Sequence, residues 1–382
     1  MDAFRLKKIL LVLLVLLFFN SMNAFSYKII PGESVHESIT AMAVKCMQAS
    51  EEIKPADCSS FRYIKSEGFK LTDYVRGLDP LYRSVSWPDD PTREFTEFSG
   101  ALASGAKVYL KNETGCPREI GYEYRLDKDG IFCSSHFGDL QFLHAQAAKT
   151  TERASKTHSK IIDWSLFLYG VAIEQINTTD DYCEFWKKRN GPISNAMVPD
   201  DFAYCEERFS FKKLFTFRYP YYPEWTVGTL LNFTCKNPLS SKTCSERIGD
   251  TGKEWSKQNA GGALFHLIQD SYSQSHTDRG PCEVDPSTNK VVSKIECLPI
   301  KRYYAYGVQD GDLHGEADFW PKFSTSCNSI TETIVPVLAI AQIMWHINNK
   351  TLDVHIVKND LYKVFGKPEN TGDELAVSGK CF

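Results

Sequence analysis

The chain has 382 residues, a formal net charge of −4 and twelve cysteines. Its slightly acidic balance and its lack of a basic tract disfavour tight nucleic-acid binding, which usually needs a positively charged surface. No CxxC pair occurs, so thiolate zinc sites and redox motifs are disfavoured as well. We expect the cysteines to form up to six disulfides in an oxidising compartment.

The N-terminus has the pattern of a secretory signal peptide. A basic tip is followed by eleven apolar residues, 9–19, which are too few for a membrane-spanning helix of about 20 residues. We predict a signal peptide over residues 1–24, with a cut after Ser26 as the alternative. No later segment reaches membrane-spanning length. Residues 25–382 are therefore predicted to form a single secreted domain, extracellular or periplasmic.

The first half of the mature chain mixes helices with irregular chain. Ser34 and Glu37 form a capping box ahead of an apolar stripe, which predicts a helix start. Residues 72–86 are predicted to be partly helical and to end at the two prolines of 87–91. Residues 105–135 are predicted to be an irregular insertion, and Asp139 is predicted to cap a helix that runs to about residue 155.

The second half alternates helical periodicity with two further insertions, near 180–250 and 280–305. The first insertion carries a dense aromatic run, and the second could include a short hairpin. Helices are predicted over about 158–177, 262–274 and 330–347, with another around His314. Since helical signals outnumber strand signals, the fold class is predicted to be all-α, with long disulfide-bearing loops.

Histidines and aspartates recur at metal-ligand spacing near the C-terminal third. His266 and Asp270 lie one helical turn apart, and so do His314 and Asp318. Imidazole nitrogens and carboxylate oxygens are ligands of zinc. His276 lies about 15 Å along a regular helix from His266 and cannot share its ion unless the helix breaks. The spacing therefore predicts a cluster of metal ions.

Three residues upstream can complete this set: His36 on the first predicted helix, Asp89 in the proline-bounded loop, and His144 on the predicted Asp139 helix. Asp90 is the alternative to Asp89, and His136 is the alternative to His144. Among the remaining histidines, His346 is predicted to be a packed core residue, and His158 and His355 are predicted to be ordinary residues outside any cluster.

With these residues in place, the chain resembles the zinc-dependent phospholipases C, and among them those of Gram-negative bacteria most closely. Fungal single-strand nucleases of the same superfamily share the pattern, which spans residues 30–320 and leaves the insertions unmatched. The matching segments are 35–40 (VHESIT), 87–89 (WPD), 138–145 (GDLQFLHA), 264–270 (LFHLIQD), His276 and 313–318 (LHGEAD).

The resemblance implies a phospholipase C/P1 nuclease-like core with two to three zinc ions. It assigns one ion to Asp89, His144, His266 and Asp270, and a second ion to His276, His314 and Asp318. The third ion falls to His36 and a bridging Asp270. In the family, a mature N-terminal Trp also holds the third ion. This chain departs from that pattern, because either cut leaves about ten residues before His36 and no Trp near the new end. The third site is therefore weaker or is completed by another group.

The function that the resemblance implies is hydrolysis of the glycerol-side phosphodiester of glycerophospholipids such as phosphatidylcholine. The products are diacylglycerol and a phosphorylated headgroup. Asp89 is the candidate to orient or deprotonate the attacking water. A phospholipid substrate, transient contact with the membrane surface and a monomer are expected. The alternatives are a zinc-dependent single-strand nuclease or 3′-nucleotidase, and a secreted disulfide-rich binding protein with structural zinc.

Overall fold

Helices dominate the protein in the computed structural model, as the sequence predicts at the level of fold class. The predicted signal peptide, Ser34, Asp90, His314 and Asp318 lie outside the residues that the structure describes. The described residues are 35–49, 80–89, 116, 122–202, 205, 225–231, 244–273, 275–279, 283–285, 290–293, 300–306, 336–368, 371 and 373–376.

Ten helices are labelled here in chain order within those ranges, together with a 3₁₀ turn at Gln141–His144 that precedes α4. They are α1 (Val35–Ala49), α2 (Pro80–Val85), α3 (Leu126–Phe137), α4 (Ala154–Ala172), α5 (Tyr182–Arg189), α6 (Ser194–Met197), α7 (Val227–Leu230), α8 (Cys244–Asp270), α9 (Pro336–Asn348) and α10 (Val354–Phe365).

Two small antiparallel strand pairs accompany the helices. Strand β1 (Thr277–Asp278) pairs with β4 (Arg302–Tyr303), and β2 (Glu283–Asp285) pairs with β3 (Lys290–Ser293). The second pair is the hairpin considered for the 280–305 insertion. These strands are too short to form a layer of their own, so the core remains helical.

The long helix α8 lies at the centre of the core and packs against α2, α4 and α9. Its apolar residues join one continuous buried cluster with aromatic residues such as Trp164 and Phe167 of α4. Gly262 permits the closest helix contact, because a Cβ at this position would lie 2.2 Å from the Ser84 hydroxyl oxygen of α2. The approach of α2 to α8 brings Asp89, four residues beyond α2, towards the last turns of α8.

Two predictions of local structure are wrong. In place of the predicted helix over 139–155, a 3₁₀ turn covers Gln141–His144 and is followed by Ala145, whose φ of 52° is left-handed. The next segment is held by tertiary contacts, since the Ala147 N–H donates to the Tyr304 carbonyl at 2.8 Å. The predicted irregular insertion over 105–135 contains most of helix α3, which is kinked at Gly130, where φ is 81°.

Helix boundaries also differ from the predicted ones. Helix α4 begins four residues earlier than predicted, α8 extends back to Cys244, and α10 was not predicted. Disulfides join Cys116 to Cys133 and Cys183 to Cys205. Cys46 is disulfide-bonded as well. These bonds agree with an oxidising compartment.

Among the described residues, no helix is both long enough and apolar enough to cross a lipid bilayer. His158 and His346 are buried and bonded to protein groups, as structural histidines should be. His158 Nε2 lies 2.8 Å from the Gly366 carbonyl oxygen, and His346 Nε2 lies 2.8 Å from Asp360 Oδ2. His355 is exposed on α10.

Candidate metal centre

Six of the predicted ligands come together in one buried cluster, although they belong to four separate segments of the chain. Helix α1 supplies one of them, the turn after α2 and the 3₁₀ turn supply one each, and α8 with the turn that follows it supplies three. Each of the six is at most 1% exposed. They are His36, Asp89, His144, His266, Asp270 and His276.

The Asp270 carboxylate lies at the centre of the cluster, with imidazoles near both of its oxygens. Its Oδ2 lies 3.0 Å from His144 Nδ1, 3.0 Å from His266 Nε2 and 3.7 Å from His276 Nδ1. Its Oδ1 lies 3.6 Å from His36 Nε2. The two oxygens of this carboxylate thus face different imidazole nitrogens, as the oxygens of a bridging ligand would.

Asp89 faces the same imidazoles with its own two oxygens. Its Oδ1 lies 3.5 Å from His266 Nε2 and 3.7 Å from His144 Nδ1, and its Oδ2 lies 3.8 Å from His36 Nε2. Bonds of about 2.0–2.1 Å to a tetrahedral zinc ion place neighbouring ligand atoms about 3.3 Å apart. The separations between the nitrogens and the carboxylate oxygens scatter around that value, so the residues fit a metal centre.

Hydrogen bonds on the far side of the rings determine which nitrogen faces the carboxylates. The Nδ1 of His266 lies 2.9 Å from the Val85 carbonyl oxygen, which can only accept, so Nδ1 carries the ring proton. In the neutral ring, the Nε2 lone pair then faces Asp89 and Asp270. The lone pair of a ring nitrogen and the carboxylate oxygens that it faces repel each other unless a cation lies between them. The donor set therefore favours a bound cation.

Electrostatics favours the ionised form of Asp270 and the neutral forms of His36 and His144. Burial alone would raise the pKa of Asp270, but the nearby His266 and His276 and the hydrogen bond with His144 bring it well below its usual value. Burial, aided by the neighbouring His266, lowers the pKa of His36 well below its usual value. Burial also lowers the pKa of His144, against the opposing effect of Asp270. Neutral imidazole and ionised carboxylate are the ligating forms.

His276 reaches the cluster because α8 ends at Asp270. The chain turns back over the next residues, where the Ser273 and Ser275 hydroxyls hydrogen-bond at 2.6 Å. The Nδ1 of His276 then contacts the His144 carbonyl oxygen, which leaves Nε2 as the acceptor nitrogen of the ring. The helix therefore ends before His276 and brings this residue close to Asp270, so the argument for separate ions from the spacing of a regular helix does not apply.

The alternative histidine, His136, is a close neighbour of the cluster. It lies in the last turn of α3 and is buried, with its ring centroid 4.6 Å from that of His144. Its Nδ1 donates to the Phe132 carbonyl at 2.9 Å. Among these two histidines, His144 makes the contacts with Asp270 and His266 that a ligand of the predicted first ion needs.

Two buried polar residues next to the cluster were not singled out from the sequence as site residues. Gln269 contacts His36 through its side-chain amide. Glu37 is buried on α1, and burial raises its pKa to about 7. A signal for Gln269 was present, since it is a polar residue within the apolar segment that carries His266 and Asp270. That signal could not reveal its partner, which is 233 residues away.

Comparison with protein-family models, with curated proteins and with solved structures finds no match for this chain.

Proposed function

We propose that the protein is a secreted zinc-dependent phosphodiester hydrolase of the phospholipase C type. One observation carries this proposal: the buried Asp270 carboxylate lies among imidazole nitrogens, and the ring proton of His266 is turned away to a backbone carbonyl. This arrangement is suited to binding cations. The ordered motifs shared with phospholipases C supply the substrate class.

The residues fall into groups that would each hold an ion. Asp89, His144, His266 and Asp270 would hold one ion, and His36 with the second oxygen of Asp270 would hold another. His276 would hold a further ion together with two residues outside the described part of the chain, His314 and Asp318. When bound, zinc lowers the pKa of coordinated water towards 7 and offsets the charge on phosphoryl oxygens.

The remaining roles in hydrolysis belong to residues of the chain. Asp89 would accept a hydrogen bond or a proton from the attacking water, since its carboxylate lies beside the His144 and His266 nitrogens that would hold the first ion. Asp270 stays ionised and contacts His36 through one oxygen and His144 and His266 through the other. The surrounding burial excludes bulk water, which strengthens the interaction of each charge with the phosphodiester.

The substrate is proposed to be a glycerophospholipid cleaved on its glycerol side. The motif resemblance favours a lipid, and the formal net charge of −4 disfavours a nucleic acid. Phosphatidylcholine vesicles and single-stranded DNA, offered to the same preparation, distinguish phospholipase from nuclease. A protein that holds one tightly closed zinc ion and cleaves neither substrate would be a binding protein with structural metal.

The test combines metal content with activity in three purified proteins: wild type, Asp270→Asn and Asp360→Asn. Asp360 is a matched control because it also bonds a buried histidine, His346, outside the cluster. We expect about two to three zinc ions in wild type and in Asp360→Asn, and loss of zinc and of hydrolysis in Asp270→Asn. Wild-type protein that binds no zinc, or an Asp270→Asn variant that keeps zinc and activity, would overturn the proposal.

A further inference from the structure

Gln269 connects the last turn of α8 to α1 through its buried side-chain amide. Its Oε1 contacts His36 Nδ1, and its Nε2 donates to the His36 carbonyl at 3.1 Å and to the Thr40 hydroxyl at 2.8 Å. The Thr40 hydroxyl in turn donates to the His36 carbonyl at 2.9 Å. The two polar atoms of the amide thus contact three atoms in total, all of which belong to His36 or Thr40.

These contacts fix the orientation of the amide. The His36 carbonyl can only accept, so the NH₂ group of Gln269 must face it and the amide oxygen must face His36 Nδ1. A flipped amide would place its oxygen against the carbonyl oxygen and its NH₂ against the ring. An amide oxygen can only accept, so His36 Nδ1 carries the ring proton. The Nε2 of the neutral ring is then an acceptor.

That Nε2 atom is the one that faces the centre, at 3.6 Å from Asp270 Oδ1 and 3.8 Å from Asp89 Oδ2. We infer that Gln269 is a positioning residue that selects the His36 tautomer with its lone pair towards Asp89 and Asp270, and so sets the affinity of the ion at His36. This inference rests on the proposed metal-binding function. Groups that orient a ligand in this way typically change metal affinity 10–100-fold.

If Gln269 only held α1 and α8 together, the loss of its side chain would have different consequences. Loss of the tie between α1 and α8 would lower stability, while His36 would keep its proton on Nδ1 and its ion. The experiment therefore reads the position of the ring proton and the number of bound ions, in addition to stability.

The variants are chosen to separate these effects. Gln269→Met keeps the length of the side chain and removes all of its strong hydrogen bonds. Thr40→Val removes the hydroxyl contact but leaves the amide oxygen on His36 Nδ1. Asn259→Leu is the matched control on the same helix, since Asn259 is buried and its amide donates to the Leu231 carbonyl at 2.7 Å.

Two measurements are made on the zinc-loaded proteins. Long-range ¹H–¹⁵N spectra of the histidine rings report which nitrogen of His36 is protonated, with assignment by His36→Gln. Competition with a chelator reports the affinity of each equivalent of zinc. We expect a proton on Nδ1 of His36 in wild type, in Thr40→Val and in Asn259→Leu. In Gln269→Met one equivalent of zinc should bind 10–100-fold more weakly, with the His36 signals changed.

The inference is overturned if wild-type His36 carries its proton on Nε2, a result that does not depend on any variant folding. It is also overturned if a folded Gln269→Met keeps every equivalent at wild-type affinity. Both outcomes leave zinc bound to wild type and the proposed function intact. Wild-type protein without zinc would instead refute the proposed function itself.

Discussion

Two kinds of histidine–aspartate contact occur among the described residues: the pair of His346 with Asp360, and the contacts within the candidate metal centre. In the first kind, His346 Nε2 lies 2.8 Å from Asp360 Oδ2, while its Nδ1 lies 3.1 Å from the Thr351 hydroxyl. In the second kind, His36 Nε2 and His266 Nε2 lie 3.5–3.8 Å from Asp89 oxygens.

The shorter distance is that of a hydrogen bond, in which a proton lies between nitrogen and oxygen. The longer distances to Asp89 are typical of two ligands of one ion. The contacts of Asp270 Oδ2 with His144 and His266, at 3.0 Å, are as short as hydrogen bonds, so distance alone does not distinguish the two kinds of contact. In the cluster the ring proton of His266 is already used by the Val85 carbonyl. The hydrogen-bond partner of the ring nitrogen that points away from the aspartate is therefore more informative than the burial of the histidine or its distance from the aspartate.

The largest expected effect comes from Asp270→Asn. The neutral amide cannot replace a carboxylate that contacts several imidazoles, so we expect several kcal/mol of charge stabilisation to be lost. We expect hydrolysis of phosphatidylcholine to fall by at least about 1000-fold, against less than about tenfold for Asp360→Asn. Initial rates at saturating substrate measure both effects. Equal losses in the two variants would remove the distinction between the two kinds of contact.

Chelation is expected to lower stability through the cluster alone. A ligand at 100 times its dissociation constant stabilises the folded state by about 2.7 kcal/mol, so removal of zinc should lower the free energy of unfolding by about that amount per site. Urea titrations with and without a chelator measure the change. Asp360→Asn should show the same decrease as wild type, while Asp270→Asn should show little. A chelator that destabilises Asp270→Asn as much as wild type would contradict the assignment.

A smaller effect is expected from the helix contact that positions Asp89. Gly262→Ala places a methyl group against Ser84, so α2 must shift, at a cost of about 1–3 kcal/mol. Gly261→Ala is the control, because its Cβ would meet only the Ile347 Cδ1 atom, at 3.9 Å. This control should be neutral or stabilising by up to about 1 kcal/mol.

Differential scanning calorimetry measures stability in both glycine variants, and chelator competition measures their zinc affinity. If zinc binds more weakly in Gly262→Ala but not in Gly261→Ala, the contact between α2 and α8 affects the candidate metal centre. Equal zinc affinity in the two variants would show that the position of Asp89 does not depend on that contact.

The smallest effect concerns acid stability at the structural pair. Burial opposes ionisation of Asp360, but the hydrogen bonds from His346 and Lys363 lower its pKa below the usual value. A folded-state pKa below the unfolded value of about 3.9 stabilises the protein at pH values above that unfolded value. This stabilisation is lost as the pH falls through the folded-state pKa. The free energy of unfolding of wild type relative to Asp360→Asn should therefore shrink below about pH 4. A constant difference across that range would contradict this expectation.

Sequence periodicity predicted the parts of the site that depend on one helix. The four-residue spacing of His266 and Asp270 predicted their common face on α8, and the apolar stripe after Ser34 predicted α1. The positions of His144 and His276 depend on contacts between distant segments. Ala145 in a left-handed conformation and the bond from His276 to the His144 carbonyl leave no local pattern. The roles of His314 and Asp318 stay predictions.

The contact between Gln269 and His36 shows the same limit of prediction from sequence. Its polar character within an apolar segment is visible in the sequence, yet its partner His36 is 233 residues away and is reached only through the packing of α1 near α8. No periodicity connects two such positions. Tertiary packing therefore determines the ring orientation of His36, while the sequence indicates only that His36 is a candidate ligand.

The hydrogen bonds behind the rings also constrain how the protein matures. His266 depends on the end of α2, His276 on the 3₁₀ turn and His36 on the end of α8, so each ring obtains its orientation from a different distant segment. An unfolded chain has none of these acceptors in place and offers only scattered, misdirected nitrogens. If the cluster binds metal as proposed, loading would accompany or follow folding, and export in an unfolded state would deliver an empty polypeptide that acquires its ions at its destination.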